Sequence, residues 1–181
     1  EGWTVTETFG DPSATWQAFS HEGSFDGQPR YTSPFTSLYF GNSTVLCAGS
    51  LTDICPNYAG SGTNAGGITG GTALSPVVSL PANPGISLSF ELWIDTEAGT
   101  SYDTLSLHLV TDSGLDVLLW EKFDTHNSFE TIQVPLAAYG GSDVQFRFDF
   151  STQDSIANET EGVYIDDFTI DDPCKEGTGG P

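Results

Sequence analysis

Two adjacent aspartates, Asp166 and Asp167, interrupt the strand-like stretch GVYIDDFTIDDPC at residues 162–174. Aspartate is disfavoured in strands, and a carboxylate that faces the interior is costly unless a partner compensates it. Two carboxylates about 4 Å apart also repel each other by roughly 4 kcal/mol at an effective dielectric constant near 20. Either these side chains face water, or a cation holds them.

A second group of oxygen-bearing side chains lies at a hairpin near Asp95 and in the loop STQDSIANETEG, residues 151–162. Carboxylate and amide oxygens are ligands that Ca²⁺ takes, but the spacing matches no EF-hand loop. A second cation could be held here, and an ordinary solvated loop is the alternative. The side chains that would hold it are Glu97, Asp103, Asp154 and Asn158.

The chain of 181 residues carries 25 acidic residues against 4 basic ones, which gives a net charge of −21. Such a surface repels nucleic acid and anionic membranes, because binding to phosphate groups needs Lys and Arg. No apolar run approaches about 18 residues, so the sequence predicts no membrane span. The acidity fits solubility in a salty or extracellular medium, and it also fits carboxylates neutralised by a hard cation such as Ca²⁺.

The segment ELWIDTE places Glu91, Asp95 and Glu97 on one face of a strand, and sandwich glycosidases also carry three carboxylates along a strand. Here Trp93 occupies the central position of the three, and no second strand supplies a further set of carboxylates. The three histidines form no HxH or HExxH pattern, and no GxSxG motif occurs. We therefore expect no enzyme activity, with a sandwich glycosidase as the least favoured alternative.

Trp93 lies opposite the apolar face of its strand, where it could form an exposed platform for a sugar ring. Trp3, Trp16 and Trp120 could serve in the same way. The alternative is that these rings pack beneath loops, as large aromatic side chains mostly do.

Cys47 and Cys55 lie eight residues apart in a loop rich in Gly, Ser and Asn, which predicts a local disulfide that restrains this loop. Cys174 is left over, so its partner lies outside the chain or its thiol is free. The chain begins EGWTV and contains no Met, so we expect a processed part of a longer protein. We expect that protein to be secreted, and to be extracellular or at the cell surface.

Apolar and polar residues alternate along nearly every segment, which is the pattern of half-buried strands in antiparallel sheets. The stretches ISLSFELWID and DVQFRFDF show it most clearly, and turn signals such as TDSGLD separate the strands. One strand is expected over 71–80, and His126 is expected in a turn. About ten short strands predict an all-β fold, a two-sheet antiparallel jelly-roll β-sandwich over residues 1–172, with a linker at 173–181.

Six pieces of the sequence occur in an order typical of one family. They are TETFGD with TWQAFS, SPFTSLYFG, GGTALSPVVSLP, SFELWIDTE with YDTLSLHLVTDSG, FETIQVPLAAYGGSDVQFRFDF, and EGVYIDDFTIDDPC. Together they resemble the MAM-like jelly-roll modules appended to secreted bacterial peptidases and surface proteins, over residues 3–171. The closing segment is also similar to that of MAM domains in animal receptors, which ends in an apolar-Asp-Asp-apolar strand followed by a Cys. The paired cysteines of the animal domain's N-terminal region are absent here.

The resemblance implies a structural Ca²⁺ where the first and last strands meet, held by an acidic residue of the first strand and one Asp of the Asp-Asp pair. In this sequence these positions are Glu7 and either Asp166 or Asp167, because alternation points the two aspartates to opposite faces. Nearby loops add two further candidate ligands, Asp11 and Asp26. Backbone carbonyls and water would complete the roughly six to eight oxygens that Ca²⁺ takes.

The resemblance further implies a non-catalytic, calcium-binding extracellular module for adhesion or binding within a larger secreted or surface protein. Its partner would be a cell-surface protein or glycan, or the neighbouring domains of the same polypeptide. The alternative is a lectin-like carbohydrate-binding module attached to a hydrolase. Exposed coplanar aromatic rings on one concave face would favour sugar binding, and a convex polar surface would favour a spacer.

Overall fold

The computed structural model describes residues 2–10, 12–20, 28–47, 50, 54–58 and 67–175, and of Thr6 and Glu7 it describes the backbone only. Within these residues the chain forms eleven β-strands and a short 3₁₀ helix at Ala137–Tyr139. In the same part of the chain, no helix has the length and hydropathy of a membrane span.

The strands form two antiparallel sheets, which we name sheet A and sheet B. Sheet A contains β1 (Thr4–Phe9), β4 (Gly70–Leu74), β5 (Val78–Ser79), β7 (Thr104–Val110), β8 (Asp116–Glu121) and β10 (Asp143–Ser151). Sheet B contains β2 (Thr15–Phe19), β3 (Ser37–Gly41), β6 (Ser87–Asp95), β9 (His126–Pro135) and β11 (Gly162–Asp171). The strand order is β1-β4-β10-β7-β8 in sheet A, with β5 beside one end of β10, and β2-β3-β11-β6-β9 in sheet B. The predicted all-β jelly-roll sandwich is confirmed.

The core lies between the two sheets and is rich in aromatic rings. Phe148 of β10 is fully buried, and its ring lies 5.4 Å from that of Phe90 in β6. Trp3 and Trp16 pack on the same ring, at 5.6 and 6.2 Å between centroids. Trp120 meets Phe90 edge-on at 5.8 Å. These three tryptophans therefore belong to the core, which agrees with the packing alternative and not with exposed platforms.

Two local predictions are wrong. The single strand expected over 71–80 is divided into β4 and β5, because Pro76 has no N–H to donate to a ladder. Ser75 bridges the division: its N–H donates to the Phe146 carbonyl, and its hydroxyl accepts from the Phe146 N–H, both at 2.8 Å. His126, expected in a turn, begins β9 and pairs with Ile94 of β6.

Candidate functional site

The outer face of sheet B is closed by the chain itself. Tyr39, Trp93 and Tyr164 form an aromatic cluster there, and all three are buried. The Arg30 guanidinium lies 4.1 Å from the centre of the Trp93 ring and forms a salt bridge to Glu161 at 2.8 Å. Trp93 is only 3% exposed, so the prediction that it is an exposed platform is wrong: its ring lies beneath Arg30.

Asp166 of β11 holds the segment that covers this aromatic cluster, residues 30–33, by hydrogen bonds. One of its carboxylate oxygens accepts from the N–H groups of Thr32 and Ser33, at 2.7 and 2.9 Å, and the Thr32 hydroxyl oxygen lies 3.1 Å from it. The other accepts from the Ser33 hydroxyl and the Asp167 N–H, both at 2.8 Å. Burial disfavours the charged form, but these hydrogen bonds outweigh it and hold the pKa of Asp166 below its usual range. A carboxylate offers about four lone-pair positions, so its acceptor capacity is filled.

The cation expected between the first and last strands stays a prediction. In the structure β1 lies at the edge of sheet A, whereas β11 is central in sheet B, so the two strands are not paired. Asp167 is exposed, at a bulge where its φ is +46°, and its carboxylate accepts from the Thr32 hydroxyl at 2.8 Å. The predicted ligands that lie outside the described residues are the Glu7 side chain, Asp11 and Asp26.

The outer face of sheet A is different, because it carries a polar groove of about 610 Å³. Along β10 the phenylalanines point into the core, so Arg147 and Asp149 point outward. Strand pairing places Asp149 between Thr72 of β4 and Ser106 of β7. All four side chains line the groove, together with Phe9 and Gln153.

A network of four charged or titratable side chains lies on this face. The Arg147 guanidinium donates to Asp116 at 2.7 Å and to Asp149 at 2.9 Å. His108 lies beside the same two carboxylates, with Nδ1 2.8 Å from Asp116 and Nε2 3.8 Å from Asp149. The hydrogen bond from Arg147 is the main reason that the pKa of Asp116 lies below its usual range. The network thus presents forked donors and acceptors side by side.

Apolar side chains flank the network on the two edge strands of sheet A. Phe9 of β1 is 46% exposed, and its ring lies over Gly70. A Cβ at Gly70 would come within 2.4 Å of that ring, so glycine at this position permits the ring to lie there. Leu118 of β8 is also 46% exposed and pairs with His108. The face therefore combines a polar centre with apolar edges.

The second predicted group of oxygen ligands is brought together around Tyr58. Asp103 is fully buried, and one of its oxygens accepts from the Tyr58 hydroxyl and, at 2.7 Å, from the Glu97 N–H. Burial raises the pKa of Asp103. Asn158 is 1% exposed, and its amide N–H₂ donates to the Asp154 carbonyl at 3.0 Å. Asp103 and Asn158 are therefore buried, whereas Glu97 and Asp154 are half-buried.

The cysteines lie away from the groove. Cys47 and Cys55 are joined by a disulfide, and their Cα atoms are 4.8 Å apart. Cys174 is a free, exposed thiol just after β11.

The groove residues Arg147, Asp149 and Phe9, and Asp116 beside them, are absent from the sites predicted by sequence. One signal could have pointed to them. Arg147 is one of only four basic residues in the chain, and it stands two positions before Asp149 on the polar side of a strand whose other side is phenylalanine. A scarce cation beside a carboxylate on an outer sheet face is a candidate for a binding site.

No family model matches the chain, and no curated protein matches it. Among solved structures, TmCBM61 in complex with β-1,4-galactotriose is similar, with a TM-score of 0.53 and 12% identity over 93% of this chain and 87% of that chain. A structure solved for the promiscuous specificity of carbohydrate-binding modules from the β-sandwich superfamily has a TM-score of 0.51 and 12% identity, over 94% of this chain and 57% of that chain. The chain shares the β-sandwich fold of these carbohydrate-binding modules.

Proposed function

We propose that the chain is a non-catalytic carbohydrate-binding module that holds a neutral glycan in the groove of sheet A. The observation that carries this proposal is the open groove lined by Arg147, Asp149 and Phe9, with Asp116 bound to Arg147 beside it. The likeness to two sandwich-type carbohydrate-binding modules supports it, because sugar binding is a function that this fold supports in those proteins.

The chemistry of the groove suits sugar hydroxyls, since each hydroxyl both donates and accepts. Asp116 and Asp149 accept hydrogen bonds, and Arg147 donates them, so a pair of neighbouring hydroxyls finds both partners in one place. The ion pairs hold these side chains in place before any ligand arrives, which reduces the entropy lost on binding. The exposed ring of Phe9 offers a face on which the apolar side of a sugar ring can pack.

The charge of the groove favours a neutral ligand over an anionic one. Arg147 is already paired with two carboxylates, so it leaves no net positive charge for a uronate, sulfate or phosphate. The net charge of −21 repels a polyanion before contact.

The groove also lacks the arrangement of a glycosidase. Such an enzyme needs a carboxylic acid that stays protonated near neutral pH, and therefore has a raised pKa. Asp149 lines the groove and Asp116 lies beside it; the hydrogen bond from Arg147 lowers the pKa of Asp116, and Asp149 also accepts from Arg147. Binding without catalysis is the function that these residues serve best.

The proposal keeps the extracellular setting expected from the sequence. A disulfide at Cys47 and Cys55 persists in an oxidising compartment, where polysaccharides and cell-surface glycans are met. A MAM-like module of a longer secreted or surface protein would then use the groove for attachment to a glycan.

Isothermal titration calorimetry tests the proposal directly. The panel contains β-1,4-linked oligosaccharides of galactose, xylose, mannose and glucose, with polygalacturonate as the anionic comparison. We expect at least one neutral oligosaccharide to bind, and Phe9→Ala to weaken it about tenfold, or about 1.4 kcal/mol. Arg147→Lys keeps the charge but removes the planar fork, and should weaken binding at least as much.

The matched control is Phe123→Ala, which removes a phenylalanine that is 81% exposed and does not line the groove. It should leave the affinity unchanged. The proposal is wrong if no neutral oligosaccharide binds, or if Phe123→Ala weakens binding as much as Phe9→Ala.

A further inference from the structure

Buried oxygen atoms without partners are concentrated at one place in the fold. In the described part of the chain, five buried side-chain polar atoms make no hydrogen bond. Three of the five are acceptor oxygens near Tyr58: Glu97 Oε2, Asp103 Oδ1 and Asn158 Oδ1. A buried acceptor without a donor is expensive, so three of them in one neighbourhood call for a missing partner.

Hydrogen bonds around Tyr58 bring together the loops that carry these three oxygens. The Tyr58 hydroxyl donates to Asp103 and lies 3.2 Å from the carbonyl of Ala157, the residue before Asn158. The Glu97 N–H donates to the same oxygen of Asp103, so the second oxygen of that carboxylate remains unpartnered. One tyrosine hydroxyl thus joins the loop after β6 to the loop before β11.

The amide orientation of Asn158 is settled by its neighbours. Its N–H₂ donates to two carbonyls, those of Asp154 at 3.0 Å and Gly67 at 3.3 Å. Turning the amide around would set an oxygen against both carbonyls, so the unpartnered atom must be the oxygen. This oxygen is buried, held in one orientation and free of donors, so it is available to coordinate a cation.

Lys122, a cationic side chain of the same region, does not supply the missing partner of these oxygens. The Lys122 ammonium is buried and uses its three protons on the Thr96 hydroxyl and the carbonyls of Glu97 and Tyr102, at 3.0, 2.6 and 3.3 Å. No salt bridge within 4.0 Å joins it to a carboxylate among the described residues. The negative charges of Asp103 and Glu97 therefore lack a direct counter-charge.

We propose that Asp103, Glu97 and Asn158 bind one Ca²⁺ ion. The ligand set is entirely oxygen, which selects a hard cation over zinc or copper. In the described residues no three Asp, Glu, His or Cys side chains are placed to hold a metal together. The amide oxygen of Asn158, backbone carbonyls and water must therefore complete the shell, as they commonly do around Ca²⁺.

Residues of this site are sequence neighbours of residues that line the groove. The Ca²⁺ proposal can nevertheless be tested without any glycan. Thr104 follows Asp103, and Gln153 precedes Asp154; both line the groove, and the Gln153 amide donates to the Thr104 hydroxyl at 3.1 Å. A bound ion would tie together the two loops that carry this end of the groove.

Thermal unfolding and calorimetry test the proposal. The protein is stripped with EDTA, dialysed into chelator-free buffer and titrated with CaCl₂. At a free Ca²⁺ concentration about 100 times the dissociation constant, the wild type should melt about 5–11 °C higher than in EDTA. Asp103→Asn should lose this increase and remove one ion from the binding stoichiometry. It should still fold, because an amide oxygen can accept from Tyr58 and Glu97.

A second variant, Glu97→Gln, keeps the test decisive if Asp103→Asn fails to fold, and it should weaken Ca²⁺ binding at least tenfold. Asp112→Asn, in the exposed turn between β7 and β8, is the matched control and should behave as the wild type does. The proposal is overturned if Ca²⁺ raises no melting temperature, or if both variants keep the full increase and stoichiometry, which would place the ion elsewhere. If the wild type binds Ca²⁺ as described but binds no neutral oligosaccharide, only the proposed function is contradicted.

Discussion

Replacing Asp166 with Asn separates two explanations of the Asp-Asp pair. If the carboxylate acts by receiving hydrogen bonds from Thr32 and Ser33, its removal destabilises the fold whether or not a cation is present. If it acts as a calcium ligand, its removal matters only when Ca²⁺ is bound. The substitution keeps the size of the side chain, so packing changes little.

The contacts of Asp166 give the magnitude. An Asn oxygen can still accept from the N–H groups of Thr32 and Ser33, but the amide nitrogen then faces the Asp167 N–H. A partly buried N–H that loses its acceptor costs about 1–3 kcal/mol, and the remaining bonds lose their charge assistance, roughly a further 2 kcal/mol. We expect Asp166→Asn to lower the free energy of unfolding by about 4 kcal/mol, and the melting temperature by about 8–16 °C.

Urea unfolding measured by tryptophan fluorescence, in EDTA and again in millimolar Ca²⁺, is the assay. The hydrogen-bond explanation predicts the same loss in both buffers. A loss of less than about 1 kcal/mol in EDTA, growing to several in Ca²⁺, would contradict it and support a metal ligand at this position. Asp171→Asn, an exposed aspartate of the same strand, is the control.

The same carboxylate makes a pH prediction. The pKa of Asp166 is lower in the folded chain than the value of about 3.9 in an unfolded one. Its stabilising contribution is therefore complete above that unfolded pKa, and it is lost as the pH falls through the folded pKa. The stability difference between wild type and Asp166→Asn should be constant from pH 7 to about 5 and shrink below about 4. A difference that shrinks between pH 7 and 5 would refute this.

Three further changes test other parts of the fold by urea or thermal unfolding. Phe148→Ala should cost about 3–5 kcal/mol, because it empties the centre of the core; a cost below 1 kcal/mol would contradict the packing described. Arg30→Ala should cost about 3 kcal/mol, since it leaves Glu161 partly buried without its counter-charge; an unchanged stability would show that the segment does not close sheet B. Replacing Cys47 and Cys55 by Ser should cost about 2–3 kcal/mol, as expected from a short closed loop, and reducing agent should then have no further effect on the variant.

The fold could be predicted from the sequence because its signal repeats along the whole chain. Alternation of period two in segments such as ISLSFELWID and DVQFRFDF fixes which side chains face the core, and burial follows it along both strands except at Trp93. Two local expectations are wrong: the single strand over 71–80, and the turn at His126, which begins β9. Pro76 divided an expected strand, since the lost N–H is not visible in an apolar-polar pattern.

The sites were harder, because alternation gives the face of a side chain and not what covers that face. Trp93 was correctly opposite the apolar side of its strand, yet Arg30, from a segment about sixty residues earlier, lies over it. The second oxygen group was found because Glu97, Asp103, Asp154 and Asn158 lie in two loops that close at the same end of the sandwich. The Arg147 network was missed since its members come from three strands, and only their pairing brings them together.

The distribution of the few basic side chains is a reason to propose binding on the outer face of sheet A and not on that of sheet B. Three of the four have defined places: Arg30 covers the aromatic cluster of sheet B, Lys122 supports the loops near Tyr58, and Arg147 lies in the groove on the outer face of sheet A. The aromatic rings of sheet B would make a sugar platform if they were open, but they are buried beneath Arg30 and the segment that Asp166 holds. On sheet A no such segment lies over Arg147 within the described residues, and Phe9 stays open beside it. Under the proposed function, a glycan in the groove of sheet A would displace water, whereas one on the aromatic cluster of sheet B would first have to displace Arg30 and the segment around it.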